Sequence, residues 1–200
     1  MSVNTLRMDT SEYFVIDIET CPLDLDNYEK LTEEERKKLI NPIDSKIIAI
    51  GIRHKDKNIV FQGDDEKKLL EDFWLEWKTI KKGSQLIKVV GYNIKNFDLP
   101  FLVSKSFINN VTISSFFLKE IIDLFEKVNA FRYGNCRGTL KEYSTFMGIP
   151  DIGMDGSGVA DLYKQGETEK IKSYLENDLF ITDKMYIRMK ELNILQIERW

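Results

Sequence analysis

The chain has 200 residues, 42% of them hydrophobic, which is enough to bury the core of one α/β domain. Its net charge of −4 excludes a protein that coats nucleic acid through a broadly basic surface, but not an enzyme that neutralises phosphate with bound metal ions. Because we find no apolar N-terminal signal and no long uncharged run, we expect a soluble, cytoplasmic protein without membrane contact. We expect residues 1–10 to form a disordered tail and residues 11–200 a single domain.

The first predicted element is a buried strand that ends in two acids. Residues 13–20 place apolar and β-branched side chains directly before Asp17 and Glu19. Residues two apart on a strand point to the same face, so these two carboxylates project together. They repel one another unless a positive charge lies between them, and a divalent cation is the simplest one. The alternative is an exposed strand end whose acids are solvated.

A charged insertion follows the first strand. Residues 22–45 mix acids and bases, and Thr32 with Glu35 fits a capping box, which predicts a short helix over residues 33–40. Such a mixture is typical of a solvated face. The insertion nevertheless leaves the strand at its carboxylate end, so it could also form one wall of a cleft.

The middle of the chain predicts three further strands and one helix. Apolar runs predict strands over residues 46–53, 58–62 and 86–92, the first two joined by a tight polar turn and therefore antiparallel. Apolar residues at three-to-four spacing predict an amphipathic helix over residues 67–81. Residues 121–125 fit a strand or a helical segment equally well.

Polar residues follow the strand predicted at residues 86–92. Asn93 and Asp98 frame this turn, and Pro100 suits the first turn of a helix for which Asp98 would be the N-cap. Taken alone, Asp98 therefore has a purely structural interpretation. The local pattern by itself favours this capping role.

Two helices are predicted in the last third of the chain. Residues 139–147 fit a helix that ends at Gly148, and residues 168–192 fit a long helix with an apolar stripe. Tyr174 and Asp178 lie four residues apart on the long helix, so they share one face. An unpaired Asp178 would be costly among the apolar neighbours of that face.

Three short motifs thus lie in order on a strand, a strand-to-helix turn and a late helix. They are Asp17-x-Glu19, Asn93-x-x-x-Phe97-Asp98 and Tyr174-x-x-x-Asp178. In this order and placement they resemble the DEDD superfamily of 3′→5′ exonucleases, in its tyrosine (DEDDy) branch. The run Val-Gly-Tyr-Asn-Ile-Lys-Asn-Phe-Asp-Leu-Pro-Phe-Leu at residues 90–102 is similar to the proofreading exonuclease domain of family B DNA polymerases. Residues 147–150 and 155–157 resemble stand-alone, polymerase-B-like exonucleases.

The resemblance implies a fold and a metal site. The fold is α/β and ribonuclease H-like, with a mixed sheet of five or six strands whose first three are antiparallel, flanked by helices. The expected cofactors are two Mg²⁺ or Mn²⁺ ions, which prefer oxygen ligands and stabilise an in-line displacement at phosphorus. Asp17 would bridge both ions, with Glu19 and Asp178 at one and Asp98 at the other. Tyr174 would orient the attacking water; the histidine branch is disfavoured because its position is Ser173.

Substrate contacts follow less directly. In similar enzymes the positions of Thr20 and Asn93 contact the terminal nucleotide. Phe97 fits either a core residue or a base contact. One cluster in a loop combines basic and aromatic side chains that could hold phosphate and stack on bases, and it consists of Phe131, Arg132, Tyr133 and Arg137.

The sequence therefore predicts a metal-dependent 3′→5′ exonuclease that hydrolyses phosphodiester bonds by a two-metal mechanism. Its expected substrate is single-stranded DNA or a frayed 3′ end, as in proofreading or DNA repair, where a polymerase or repair protein could be a partner. One alternative is an exoribonuclease, because related enzymes trim RNA with the same four acids. A second alternative is a non-catalytic module that binds nucleic acid or a partner protein, which the joint presence of four acids and Tyr174 disfavours.

Overall fold

The computed structural model describes residues 12–28, 30–82, 84, 86–132, 136, 138–153 and 156–198. The predicted tail at residues 1–10 lies outside this set, as do Tyr133 and Arg137 of the basic-aromatic cluster. Among the described residues, no helix is both long enough and apolar enough to cross a bilayer.

Five strands form one mixed sheet. In chain order they are β1 (Tyr13–Pro22), β2 (Ser45–His54), β3 (Lys57–Gln62), β4 (Lys88–Gly91) and β5 (Ile121–Asp123), and their order in the sheet is β3-β2-β1-β4-β5. β1, β2 and β3 pair antiparallel, whereas β4 is parallel to β1 and β5 is parallel to β4. The predicted mixed sheet with three antiparallel leading strands is confirmed.

The turn between β2 and β3 is tighter than predicted. His54 pairs with Lys57 as the last residue of β2, so only Lys55 and Asp56 form the loop. Both have positive φ, at 50° and 62°, as a two-residue type I′ hairpin requires. The turn predicted between residues 53 and 58 is therefore too long by two residues, and His54, which ends β2 instead, is partly buried.

The helices complete the domain on both faces of the sheet. The described residues contain α1 (Leu25–Tyr28), α2 (Glu33–Leu39), α3 (Glu66–Lys81), α4 (Asp98–Ile108), α5 (Leu124–Val128), α6 (Leu140–Met147), α7 (Val159–Lys164) and α8 (Thr168–Glu191). Three short 3₁₀ helices lie at Leu118–Glu120, Gly156–Gly158 and Ile194–Gln196. The predicted helices of the insertion, of residues 67–81, of residues 139–147 and of residues 168–192 are confirmed, while α1 and α7 were not predicted.

The segment at residues 121–125, which fitted a strand or a helix, is both. Ile121 to Asp123 pair with β4 as β5, and α5 begins at the next residue. The Asp123 side chain accepts hydrogen bonds from the backbone N–H groups of Phe125 and Glu126 and so caps α5. Two elements of three and five residues are too short for either period to show in the sequence.

Two hydrophobic cores lie on opposite faces of the sheet. Ile16 and Ile18 of β1 belong to the core that α3 and α4 cover, whereas Val15 and Cys21 belong to the core that α8 covers. Because side chains alternate along a strand, Asp17 and Glu19 face the α8 side together with Val15 and Cys21. The packing of α8 onto β1 and β2 therefore decides what these two carboxylates meet.

A glycine sets the distance between α8 and the sheet. Gly51 of β2 is the register partner of Asp17, and a Cβ added there would lie 2.6 Å from Leu179 Cδ1 and 3.0 Å from Leu175 Cγ. Real Cβ atoms do not approach so closely, so a larger residue would force Leu179 and Leu175 to shift, whereas glycine lets α8 lie directly on β2. Leu179 and Leu175 immediately follow Asp178 and Tyr174, so this contact places both functional side chains beside β1.

Candidate active site

Three carboxylates meet where β1 faces α8. Asp17, Glu19 and Asp178 each offer an oxygen atom, and these atoms all lie within 4.8 Å of one another. Asp17 and Glu19 come together through the strand period, and Asp178 reaches them from the opposite layer. The pairing of β1 with β2 is irregular between Glu19 and Thr20, so the ladder is interrupted directly beside the acids and resumes at Thr20.

Asp98 completes the cluster from a third element. It is the first residue of α4, only 2% of its surface is exposed, and its Oδ1 atom has no hydrogen-bond partner among the described residues. A hydrogen bond from the backbone of Ile18, which lies between Asp17 and Glu19, places Asp98 beside β1. The N-cap of α4 is Phe97 without a side-chain hydrogen bond, so the interpretation of Asp98 as the capping residue was wrong.

The acids raise one another's pKa. Burial, followed by the charges of Asp98, Glu19 and Asp178, raises the pKa of Asp17 well above its ordinary value. Burial and the charges of Asp178 and Asp98 do the same for Glu19. Burial raises the pKa of Asp98 to about 8, and hydrogen bonds from backbone N–H groups oppose this shift. A cluster of this kind is stable near neutral pH only with bound protons or with added positive charge.

These residues fit a hard divalent cation. Every donor in the cluster is a carboxylate oxygen, which is the ligand type that Mg²⁺ and Mn²⁺ prefer. The buried Oδ1 atom of Asp98 has no protein partner among the described residues, so it is available as a further ligand. Three acids from two layers of the fold, with a fourth beside them, could hold more than one ion.

Tyr174 lies one helical turn before Asp178 and is buried against the cluster. Its hydroxyl donates a hydrogen bond to the Asp178 carboxylate. Burial and the nearby acids raise the pKa of Tyr174 far above its ordinary value, so the phenol stays protonated and can donate. A Cβ built on Gly156 would lie 3.5 Å from this hydroxyl, so the 3₁₀ helix Gly156–Gly158 passes close to it.

Lys141 is a site residue that the sequence analysis did not find. Its ammonium group pairs with Asp178, lies 3.1 Å from Asp151 Oδ1 and sits 4.6 Å from the centre of the Tyr174 ring. It lowers the pKa of Asp17, Glu19 and Asp178 and so offsets part of their repulsion. No spacing indicated this contact, because it depends on how α6 packs against α8.

A second residue missed by the sequence analysis holds the turn before α4. The Asp123 carboxylate accepts hydrogen bonds from the backbone N–H groups of Asn93 at 3.0 Å and Lys95 at 3.1 Å, besides capping α5. Asn93 adopts a positive φ of 57° in this turn. Asp123 therefore positions the segment that leads to Asp98, and the parallel pairing of β4 and β5 brings it there.

The predicted substrate contacts are only partly brought together. Thr20 and Phe97 line a cleft of about 920 Å³ that also reaches Glu19. Phe97 packs against Phe101 and the core as well, so both interpretations of this residue are compatible with its position. Asn93 is partly exposed and accepts a hydrogen bond from Asn96. Arg132 is exposed and does not line the cleft.

Comparison with known proteins supports this architecture. The structure superposes on that of the family B DNA polymerase from the hyperthermophilic archaeon Pyrobaculum calidifontis with a TM-score of 0.68 and 15% sequence identity. The match covers 92% of this chain and 25% of the polymerase chain, so the protein spans about a quarter of that enzyme's length. The fold is accordingly that of the ribonuclease H-like exonuclease domain, as predicted.

The family follows from the sequence match. The model of the family described as "Predicted 3'-5' exonuclease related to the exonuclease domain of PolB" matches residues 44–196, and the chain belongs to this family. The match includes Asp98, Tyr174 and Asp178, whereas Asp17 and Glu19 precede it. An uncharacterized protein of Methanocaldococcus jannaschii is 29% identical over 168 residues, covering 78% of this chain and 93% of that protein.

Proposed function

We propose that this protein is a 3′→5′ exonuclease of the tyrosine (DEDDy) branch that hydrolyses single-stranded DNA or frayed 3′ ends with the help of divalent metal ions. The observation that carries the proposal is the convergence of four acids and Tyr174 from β1, α4 and α8 on one place in the fold. Family membership supports nuclease activity, and the acid cluster supports metal dependence. A preference for single-stranded DNA or frayed 3′ ends would suit a role in proofreading or DNA repair, with a polymerase or a repair protein as partner.

The acids would divide the metal ligation. Asp17, Glu19 and Asp178 would hold one Mg²⁺ or Mn²⁺ ion, and Asp17 with Asp98 would hold the other. When bound, these ions supply positive charge that stabilises the attacking and leaving oxygens and make water a better nucleophile at neutral pH. The chain contributes a carboxylate cluster whose unfavourable self-repulsion ion binding would relieve.

Tyr174 would orient the attacking water. Its hydroxyl stays protonated, points at Asp178 and lies at the edge of the cluster, so it can donate to or accept from a water molecule there. A group that only orients water contributes less than the groups that bind the ions. Replacing Tyr174 should therefore slow hydrolysis without abolishing it.

The test uses 5′-labelled single-stranded DNA and RNA of matched sequence, with Mg²⁺, Mn²⁺ or EDTA. We expect a metal-dependent ladder that shortens from the 3′ end, with DNA as the better substrate. Asp17→Ala and Asp178→Ala should reduce the rate by at least about 10³-fold and Tyr174→Phe by about 10–100-fold, on the scale of groups that stabilise or position a transition state.

The control is Glu71→Ala, which removes an exposed acid of α3 far from the cluster in the chain. Full turnover by pure Asp17→Ala protein would overturn the site assignment. Cleavage of RNA alone would make the protein an exoribonuclease. Binding of either strand without degradation would favour the non-catalytic module.

A further inference from the structure

The cleft beside the acids has two walls that the proposed chemistry does not use. It has a volume of about 920 Å³ and begins at Glu19, Thr20 and Phe97. One wall is α2, which contributes Glu33, Arg36 and Lys37. The other wall is the 3₁₀ helix Gly156–Gly158 together with the start of α7. The charged insertion thus forms the cleft wall that its position after β1 suggested.

The α2 wall contributes little to the hydrophobic core, since Leu39 is its one residue that packs there and is only partly buried. None of the seven residues of α2 is buried. Its position depends on its capping box and on Arg36, whose Nε donates to the backbone oxygens of Tyr28 at 3.0 Å and Leu31 at 3.1 Å and whose guanidinium lies over the Tyr28 ring. Since α2 buries so little, packing alone does not explain why the chain places a charged helix at this opening.

The opposite wall lacks side chains where the fold would accept them. Gly158 has a φ of −84°, which any residue can adopt, and a Cβ built there meets nothing within 4 Å. A Cβ on Gly156 would meet only the Tyr174 hydroxyl, at an ordinary 3.5 Å. Neither backbone strain nor packing among the described residues therefore requires these glycines. Glycine does, however, allow a ligand to approach the backbone closely.

Lys37 carries a charge that is free to change partners. Its Nζ lies 2.6 Å from Glu33 Oε1, and the two side chains are 68% and 81% exposed. A pair so exposed contributes little to stability, so exchanging Glu33 for another anion costs little. A phosphate entering the cleft past α2 would meet this ammonium group and would compete with Glu33 for it.

We propose that the nucleic-acid strand reaches the acids between α2 and the Gly156–Gly158 helix, and that Lys37 contacts one of its backbone phosphates while Glu33 opposes that contact. This inference rests on the proposed function, because it takes the ligand of the cleft to be the substrate strand. It assigns to the insertion a specific role, the guidance of the strand, through two residues with opposite effects.

The test compares Lys37→Gln with Glu33→Gln on a single-stranded oligonucleotide. Lys37→Gln should raise KM by about 3–5-fold and Glu33→Gln should lower it by about 2–3-fold, the scale of one exposed charge contact, with kcat nearly unchanged in both. Lys37→Gln should also reduce the dependence of log KM on log salt by about 0.7, the value for one phosphate of a single strand. Both variants break the same ion pair, so a purely structural role would change KM in the same direction.

Lys38→Gln is the matched control, since Lys38 is the exposed neighbour of Lys37 and does not line the cleft. Binding can also be compared without hydrolysis. Each substitution is added to the Asp17→Asn protein, and the fluorescence anisotropy of a labelled oligonucleotide in EDTA gives the affinity of each variant. If Lys37→Gln and Glu33→Gln change the affinity in opposite directions but the wild-type protein does not cleave, the phosphate contact is supported and the proposed exonuclease activity is rejected. If the wild-type protein cleaves but both variants change the affinity equally or in the same direction, the phosphate contact is rejected and the exonuclease activity is retained as the proposed function.

Discussion

At the scale of single residues, Lys141 shows how the fold tolerates four neighbouring acids. Its ammonium group pairs with Asp178 and lies over the Tyr174 ring, beside the acid cluster. Lys141 thus acts as an internal counter-charge in the metal-free protein. Metal ions and Lys141 would both neutralise Asp178, so the contribution of the lysine to stability depends on whether metal is bound.

We expect Lys141→Met to lower the free energy of unfolding in EDTA by about 1.5–3 kcal/mol, the range for hydrogen bonds to charged groups. The loss should be smaller in saturating Mn²⁺, because the ions then neutralise the same carboxylates. Thermal unfolding in both buffers measures the difference, with Lys67→Met on exposed α3 surface as the control. Equal losses with and without metal would contradict the role of Lys141 as a counter-charge.

The raised pKa values predict how stability depends on pH. Burial raises the pKa of Asp98 to about 8 and also raises those of Asp17 and Glu19. An acid whose pKa is higher in the folded state stabilises the fold when protonated, below its unfolded pKa near 4, and this stabilisation is lost as pH rises toward the folded pKa. In EDTA, Tm should therefore fall from about pH 5 to about pH 8.

Asp98→Asn, which cannot titrate, should flatten this fall in Tm. Because metal must displace the bound protons, the increase in Tm on adding Mg²⁺ should grow over the same pH interval. Differential scanning fluorimetry in a pH series measures both effects. A Tm that rises from pH 5 to pH 8 in EDTA would contradict the assignment of raised pKa values to the cluster.

At the scale of elements, the contact between α8 and β2 determines the geometry of the site. Gly51 lies opposite Asp17 in the sheet and beneath Leu179 of α8. A methyl group there would push α8 away from the strand that carries Asp17 and Glu19. The position of Asp178 relative to these acids thus depends on a residue without functional groups.

Gly51→Ala should lower the free energy of unfolding by about 1–3 kcal/mol, as overpacking does, and should also weaken metal binding by moving Asp178. Leu179→Ala removes the atoms that the methyl group would meet. The double variant should therefore lose less stability than the sum of the two single variants. Denaturant unfolding and metal titration test this, and strictly additive losses would show that the two residues do not press on each other.

At the scale of the whole molecule, we expect the acid cluster to reduce the stability of the fold when no metal ion is bound. Of the four acids that converge there, Glu19, Asp98 and Asp178 are buried and Asp17 is partly buried, and sites of this kind commonly trade stability for activity. Family membership and the fold of a polymerase exonuclease domain are consistent with this arrangement.

Asp17→Asn should therefore raise the free energy of unfolding in EDTA by about 0.5–2 kcal/mol while abolishing hydrolysis. The wild-type protein should gain about 2.7 kcal/mol at a Mn²⁺ concentration 100 times its Kd, and the variant should gain much less. Calorimetry with and without Mn²⁺ makes the comparison, with Glu71→Gln as a surface control. A variant less stable than wild type in EDTA would show that Asp17 supports the fold through contacts rather than straining it.

Features that depend on neighbouring residues could be predicted. The capping box of Thr32 and Glu35 is present as predicted, and the helix over residues 139–147 ends at Gly148, which has a φ of 68°. The shared face of Asp17 and Glu19 followed from the strand period, and that of Tyr174 and Asp178 from the helix period. These relations hold because the spacing within an element is a constant of its geometry.

Features that depend on which elements touch could not be predicted. Lys141 meets Asp178 across 37 residues of chain, and Asp123 meets Asn93 across 30. Asp98 fitted an N-cap by its local pattern, but it is a buried helical residue that points toward β1. In each case the deciding contact joins two residues that no local period relates.

The sequence by itself therefore determined most of the elements, the family resemblance and the pairs of functional residues that share one strand or one helix. Only the tertiary structure decided that these pairs converge, that a lysine joins the acids and that the charged insertion forms a wall of the cleft. The physical reason is that spacing within an element is repeated along the chain, whereas distances between elements depend on packing, such as the close approach of α8 at Gly51.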